Sequence, residues 1–264
     1  SEGFFVARQL FVSVAVSRYT RSLARLRFSW TCHQVKARII VKFYCLTAFA
    51  VSLLCTSGLL SAEHRAEKLN EGPPVDDMPK EIASQLSATG VKVIRGTSRT
   101  VCEVWLCKKL EVKPDFKPSS EVLYPFRTGQ LIGVLRYRRK GRDFRNQEIA
   151  SGVYTLRYGQ QPIDGNHVGT SPTRDFLCLV QADKDKSGDL LEPKTMLKLS
   201  AEAAETNHPA LLCLQQVKGD AAGPAIRHNE DHDWWIVRMQ ILGNAGKKEK
   251  PLLLDLVVAG YANE

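Results

Sequence analysis

From residue 91 to residue 259 the chain repeats one pattern, a short run of apolar, β-branched or aromatic residues closed off by glycine, proline, asparagine or aspartate. Eight such runs stand out, at 91–94, 101–106, 130–138, 152–158, 176–181, 210–217, 234–242 and 252–259. Runs of this length between turn residues read as strands. Within 153–158 and 235–240 apolar and polar side chains partly alternate, which points to antiparallel sheet with one buried face. Gly243-Asn244-Ala245-Gly246 and the lysines after them join the last two runs as a hairpin. The one interruption is 191–206, where Met196, Leu197, Leu199, Ala201, Ala203 and Ala204 suit a helix that ends before His208-Pro209. A shorter helix fits 79–86. The pattern predicts a mostly β domain, an antiparallel β-sandwich or jelly-roll-like fold of about eight strands with one helix inserted before the last three.

Charge divides the chain into two parts. Residues 1–62 hold eight basic residues against Glu2 alone, leaving 29 basic and 27 acidic residues after them, so the formal net charge of +9 belongs mostly to the leading segment. That balance argues against nucleic acid as a partner. Within 35–62 the order is basic (Lys36, Arg38, Lys42), then apolar (43–54), then small (Thr56, Ser57, Gly58), the order of a signal peptide cleaved near Ala62. A retained anchor is the alternative, the membrane then being met only through this segment. Residues 1–34 start at Ser1 and carry no acid after Glu2; they are expected to be a disordered leader or an over-extended gene start, with an organelle transit peptide as the alternative. Residues 63–79, with Gly72-Pro73-Pro74 and Asp76-Asp77, read as a linker, and 80–264 as a single domain. The expected setting is export, to periplasm or extracellular space.

Four cysteines fall after the leader, at 102, 107, 178 and 213, an even count that permits disulfides in an exported chain. Three of them lie inside apolar runs, where buried free thiols are common.

Three stretches could carry chemistry. Asp183, Asp185, Ser187 and Asp189 stand at positions 1, 3, 5 and 7 of a loop with Gly188 at position 6, the start of a calcium loop. Position 12 is Lys194, where such a loop needs a bidentate Glu, so a turn capping the next helix is the competing reading. His228 and His232, four apart among Asn229, Glu230, Asp231 and Asp233, could ligate a transition metal if helical, yet Gly223-Pro224 and the following strand favour a loop. The long stretch 160–174 holds Asp164, Asn166, His167 and Arg174, with Asp175 after it, a set able to grip a polar ligand or sugar. His167 could then serve as a base.

Six basic residues between Arg136 and Arg145, interleaved with Tyr137 and Phe144, suit an anionic glycan or nucleic acid, or more simply a hairpin with its tip at Lys140-Gly141. The chain has no G-x-S-x-G elbow, no phosphate-binding loop, no dinucleotide fingerprint and no C-x-x-C pair.

Ile149-Ala150-Ser151-Gly152-Val153-Tyr154-Thr155-Leu156-Arg157-Tyr158, Asp164-Gly165-Asn166-His167, Arg174-Asp175-Phe176-Leu177 and Asn207-His208-Pro209-Ala210 together resemble a pattern in uncharacterised exported bacterial β-rich proteins. The resemblance implies an exported β-rich domain and no catalytic residue. The residues thus favour an exported binding or structural module of unknown ligand that requires no cofactor, with a glycan or cell-envelope component as the candidate partner. The alternatives are a metal-dependent enzyme acting on a carbohydrate or other polar polymer, through His167, His228 and His232, and a calcium-stabilised envelope module.

Overall fold

Strand β8 (Gly152–Gln160) sends Tyr154, Leu156 and Tyr158 to one side, and Thr155, Arg157 and Gly159 to the other, as the two-residue period of a pleated strand requires. The first set joins the main core; the second lies under a helix and a loop. That division organises the protein. The computed structural model describes residues 63–162, 171–246 and 248–262, all in the unit Ser61–Glu264.

All eight apolar runs form strands: β2 (Gly90–Arg95), β3 (Arg99–Leu106), β5 (Leu131–Tyr137), β8, β9 (Asp175–Gln181), β10 (Leu211–Gln215), β12 (Trp234–Ala245) and β13 (Lys248–Ala259). Five more bring the count among the described residues to 13: β1 (His64–Leu69), β4 (Lys109–Glu111), β6 (Gly141–Arg142), β7 (Glu148–Ile149) and β11 (Ala225–Asn229). These five are short and mostly half-exposed, so they bury too little apolar surface to leave an alternating pattern. β1 opens the span expected to be a linker; its backbone pairs along all six residues with β2, which needs no apolar side chains.

The order β1-β2-β3-β5-β8-β9-β10-β13-β12-β11, with β4 added beside β12, makes one 11-stranded sheet. Every pairing in it is antiparallel except β4 with β12. Its two edge strands, β1 and β11, approach each other, so the sheet curls into a near-barrel. β10 turns the corner: Leu211, Leu212 and Cys213 pair with β9, whereas Leu214 and Gln215 pair with β13. β6 and β7 form a separate two-stranded ribbon whose turn lies at 143–147, beyond Lys140-Gly141. β12 runs on through Gly243, Asn244 and Ala245 because β4 pairs with Gly243 and Asn244 there, which shortens the final hairpin's turn.

Inside the curl, Val104, Ile132, Leu135, Leu156, Leu177, Leu179, Leu212, Leu254 and Leu256 form a continuous core at 0–2% exposure. Each such side chain contributes about 1.5–3 kcal/mol by leaving water. A smaller apolar cluster of Phe144, Phe176, Cys213, Trp234, Ile236 and Val257 lies separately.

Two α-helices are present among the described residues, the one-turn α1 (Lys80–Ala83) and α2 (Pro193–Ala203). α2 starts where Glu192 accepts the Thr195 amide at 2.8 Å, with Pro193 at the first helical position. Met196, Ser200 and Ala203, spaced four and three apart, form its buried face, and Ser200 Oγ donates to the Ala210 carbonyl. This face covers the side of β9 that would otherwise meet water, so β9 is buried on six of its seven residues. All four cysteines of this unit are buried and free, and burial pushes the Cys102, Cys107 and Cys178 thiols up to about 12.

Candidate functional site

Thr155, Arg157 and Gly159 become progressively different as they pass under the 183–192 segment and α2. Arg157 is fully buried and uses all its donors. Its Nε and Nη2 reach the two Asp185 carboxylate oxygens at 2.8 Å each. Its Nη1 donates to the Gly129 carbonyl at 2.9 Å and to the Asp189 carbonyl at 2.5 Å, and Nη2 donates also to the Ser187 carbonyl. Thr155 Oγ1 donates to Asp185 at 2.5 Å. A buried guanidinium is tolerable when every N–H finds an oxygen and its charge finds a carboxylate, as here.

Three of the four positions expected to face calcium therefore turn oxygens toward Arg157: the Asp185 side chain and the Ser187 and Asp189 carbonyls. Asp183 is exposed and lies beside another opening, near Asp76, Asp77 and Tyr154.

One step further along β8, Gly159 contributes no side chain. A Cβ there would stand 3.3 Å from Met196 Cε and 3.4 Å from Cys178 Sγ. The missing volume opens onto a cavity of about 730 Å³ between α2 and the sheet. Gly159, Phe176, Cys178 and Leu211 form its floor, and Met196, Leu197 and Ala201 its helical wall. The opposite wall is Phe144 with Arg145 and Asn146, closed by Ala262. Gln160, Asn207, His208 and Lys198 bring polar groups to the rim. Leu197 is 44% exposed, an apolar side chain held at the mouth with nothing covering it. The size and the mix of apolar floor and few polar groups are those of a small-molecule site.

The wall is held in advance of any ligand. Asp143, 1% exposed, accepts the Gln147 amide at 2.8 Å, the Arg145 amide at 3.0 Å and the Leu211 amide at 3.1 Å, tying the 143–147 turn to β10. Phe144 is further clamped by its amide to the Leu211 carbonyl at 2.6 Å and its carbonyl to the Ala262 amide at 2.9 Å. Burial pushes the Asp143 carboxyl above its ordinary range while the hydrogen bonds pull it back.

The residues singled out in the sequence are placed differently. Asp164, Asn166 and His167 lie outside the described residues. Arg174 donates from Nε to the Gln161 carbonyl at 2.8 Å, which pins together the two ends of that loop at the cavity edge. Asp175 is fully buried and accepts the Tyr158 hydroxyl at 2.5 Å and the Leu123 and Tyr124 amides at 2.9 and 3.3 Å, so it anchors structure. Desolvation raises its carboxyl's pKa, against those hydrogen bonds. His228 stacks on Trp235 with ring centroids 4.4 Å apart and meets Asp233 at 2.7 Å, whereas His232 stacks on Trp234 at 4.3 Å. Adjacent strand residues face opposite sides, so the hairpin directs these two imidazoles apart. Neither lines the cavity. Among the described residues no group of three His, Cys, Asp or Glu side chains is arranged to hold a metal ion.

Half of the basic run is paired with carboxylates. Arg136 and Arg138 meet the buried Glu103 at 2.6 and 2.9 Å and share Glu71, and Lys140 meets Glu148. Arg136 also lies over the Trp105 ring, 5.0 Å from its centroid. Of the pattern that resembles exported bacterial proteins, Thr155 and Arg157 hold Asp185, Asp175 holds Tyr158, and Asn207, His208 and Pro209 line the cavity. The cavity itself went unread in the sequence. Its only local trace is Gly159, a glycine ending a strand that faces apolar residues.

No known protein family matches this chain, and neither a curated protein nor a solved structure matches it.

Proposed function

We propose that the protein is a binding module that holds one small, largely apolar molecule between α2 and the sheet. The observation that carries this reading is the 730 Å³ cavity floored by Gly159, Phe176, Cys178 and Leu211. An apolar occupant would take this lining out of water. The burial-raised Cys178 thiol stays neutral, so the floor offers no nucleophile. Recognition, with no covalent step, is the chemistry this lining supports. No cofactor is part of the reading.

We read the scaffold as sandwich-like, two layers sharing one core, with β10 passing from one to the other; its change of partner from β9 to β13 supports this. Export belongs to the same proposal and is supported by the basic, apolar and small order of 35–62. A glycan fits less well than an apolar ligand, because the floor has no hydroxyl or carboxylate to replace sugar hydration.

The test is fluorescence titration of the full chain with the neutral apolar dye N-phenyl-1-naphthylamine. Saturable enhancement at one site per chain is expected, abolished by Ala201→Trp, which fills the helical wall. Gly159→Val fills the floor from the other side and serves if the first variant melts early. Identical dye binding in folded samples of both variants places the dye elsewhere and ends this reading.

A further inference from the structure

The cavity's charges are one-sided. Among the described residues Arg145, in the 143–147 turn, and Lys198, in α2, are the formally charged ones that line it, and no described Asp or Glu does. Several surface cations elsewhere meet a carboxylate, as Arg65 meets Glu67 and Lys109 meets Glu249. Among the described residues neither Arg145 nor Lys198 meets a carboxylate. His208 adds an imidazole at the same rim. Two unpaired cations facing one opening above an apolar floor raise the local potential where low-dielectric walls focus it. An apolar ligand alone leaves both charges unused, and a cationic ligand would meet repulsion from two sides.

Resting on the binding reading above, we propose that the ligand is a single-chain amphiphile with a carboxylate head. Its hydrocarbon lies against Phe176, Cys178 and Met196, and its carboxylate sits at the rim between Arg145 and Lys198. Arg145 suits the role because the Asp143 turn fixes its backbone, so little order is lost when the guanidinium takes a planar carboxylate. Leu197, exposed at the mouth, meets the carbons next to the head.

The experiment displaces bound N-phenyl-1-naphthylamine from the full chain with dodecanoate, dodecanol and dodecyltrimethylammonium, all below their micelle concentrations at neutral pH. Dodecanoate is expected to compete about tenfold or more tightly than dodecanol, and the ammonium worst. The double variant Arg145→Glu with Lys198→Glu, both away from the core, is expected to bring dodecanoate to or below dodecanol when the two are compared in that same variant. Equal competition by acid and alcohol, or a dodecanoate affinity indifferent to the double variant, overturns the carboxylate assignment and leaves the binding module standing. If Ala201→Trp and Gly159→Val leave dye binding intact, the binding module fails and this assignment falls with it.

Discussion

Arg157 and Asp185 meet with both side chains wholly out of water, two guanidinium nitrogens each 2.8 Å from a different carboxylate oxygen. The pair fastens the 183–192 segment, and with it the start of α2, to the outer face of β8. Removing one partner leaves the other charge buried and alone. Asp185→Ala is therefore expected to cost about 3–5 kcal/mol, read as a lowered urea midpoint. The paired change Arg157→Met with Asp185→Leu is expected to recover much of that loss, because both charges go together. A small loss for the single variant would mean that water reaches the pair.

Calcium should do little here. Asp185, Ser187 and Asp189 already spend oxygens on Arg157, so an ion would have to displace a guanidinium that has no other carboxylate within the site. The melting temperature is expected to be the same in millimolar calcium and in chelator. A rise with calcium in the wild type, lost in Asp183→Asn, would restore the calcium-stabilised module.

Gly129 is the hinge between Arg157 and α2. Its φ is +82°, its carbonyl accepts from Arg157, and a Cβ on it would lie 1.9 Å from the Leu191 carbonyl oxygen. Gly129→Ala combines a disfavoured backbone with a direct clash against backbone that is itself hydrogen-bonded, Leu191 donating to the Gly129 carbonyl at 3.0 Å. A loss of about 1–3 kcal/mol is expected from thermal or urea unfolding. Because Leu191 leads into α2, dye affinity should fall in the same variant.

The seam where the sheet's edges approach should weaken in acid. His64 is buried beside Trp235, ring centroids 4.5 Å apart, and its Nδ1 has no hydrogen-bond partner among the described residues. Desolvation, then the Arg95 charge, lowers its pKa from 6.5 to about 4; Asp233 opposes this and His228 adds to it. The unfolded chain thus binds a proton first as pH falls. This residue's contribution is complete above pH 6.5 and is lost between 6.5 and about 4. The buried Asp143 and Asp175, with raised pKa values, act in the opposite direction, so the comparison that isolates His64 is between variants. His64→Phe is expected to flatten the fall in stability from pH 6.5 to 4.5, followed by urea unfolding at each pH. Parallel wild-type and variant curves would show that His64 is solvated in the native state.

Which segments form strands was legible wherever strands bury a face. The run ending in Leu156-Arg157-Tyr158 and the run Phe176–Gln181 announce themselves because their inward residues must be apolar. β1, with the sequence His-Arg-Ala-Glu-Lys-Leu, and β11, with Ala-Ile-Arg-His-Asn, left no such trace. They sit at the two ends of the sheet, where backbone hydrogen bonds suffice and side chains meet water. Local oxygen spacing at 183–189 suggested calcium, whereas Asp185 and the Ser187 and Asp189 carbonyls meet Arg157. That Arg157 lies there, 28 residues from Asp185, is a fact of chain folding.

The sequence by itself therefore determined the mostly β character and a helix within 191–206, because periodic apolar patterning acts over a few neighbouring residues. Only the tertiary structure decided that α2 lies over β9, that Arg157 is buried, and that Gly159, Phe144, Met196 and His208 share one cavity. Those four come from separate stretches of chain, and no local energy term records their distance from one another. A cavity is volume left unfilled by side chains that pack elsewhere, so it comes into being when the layers meet.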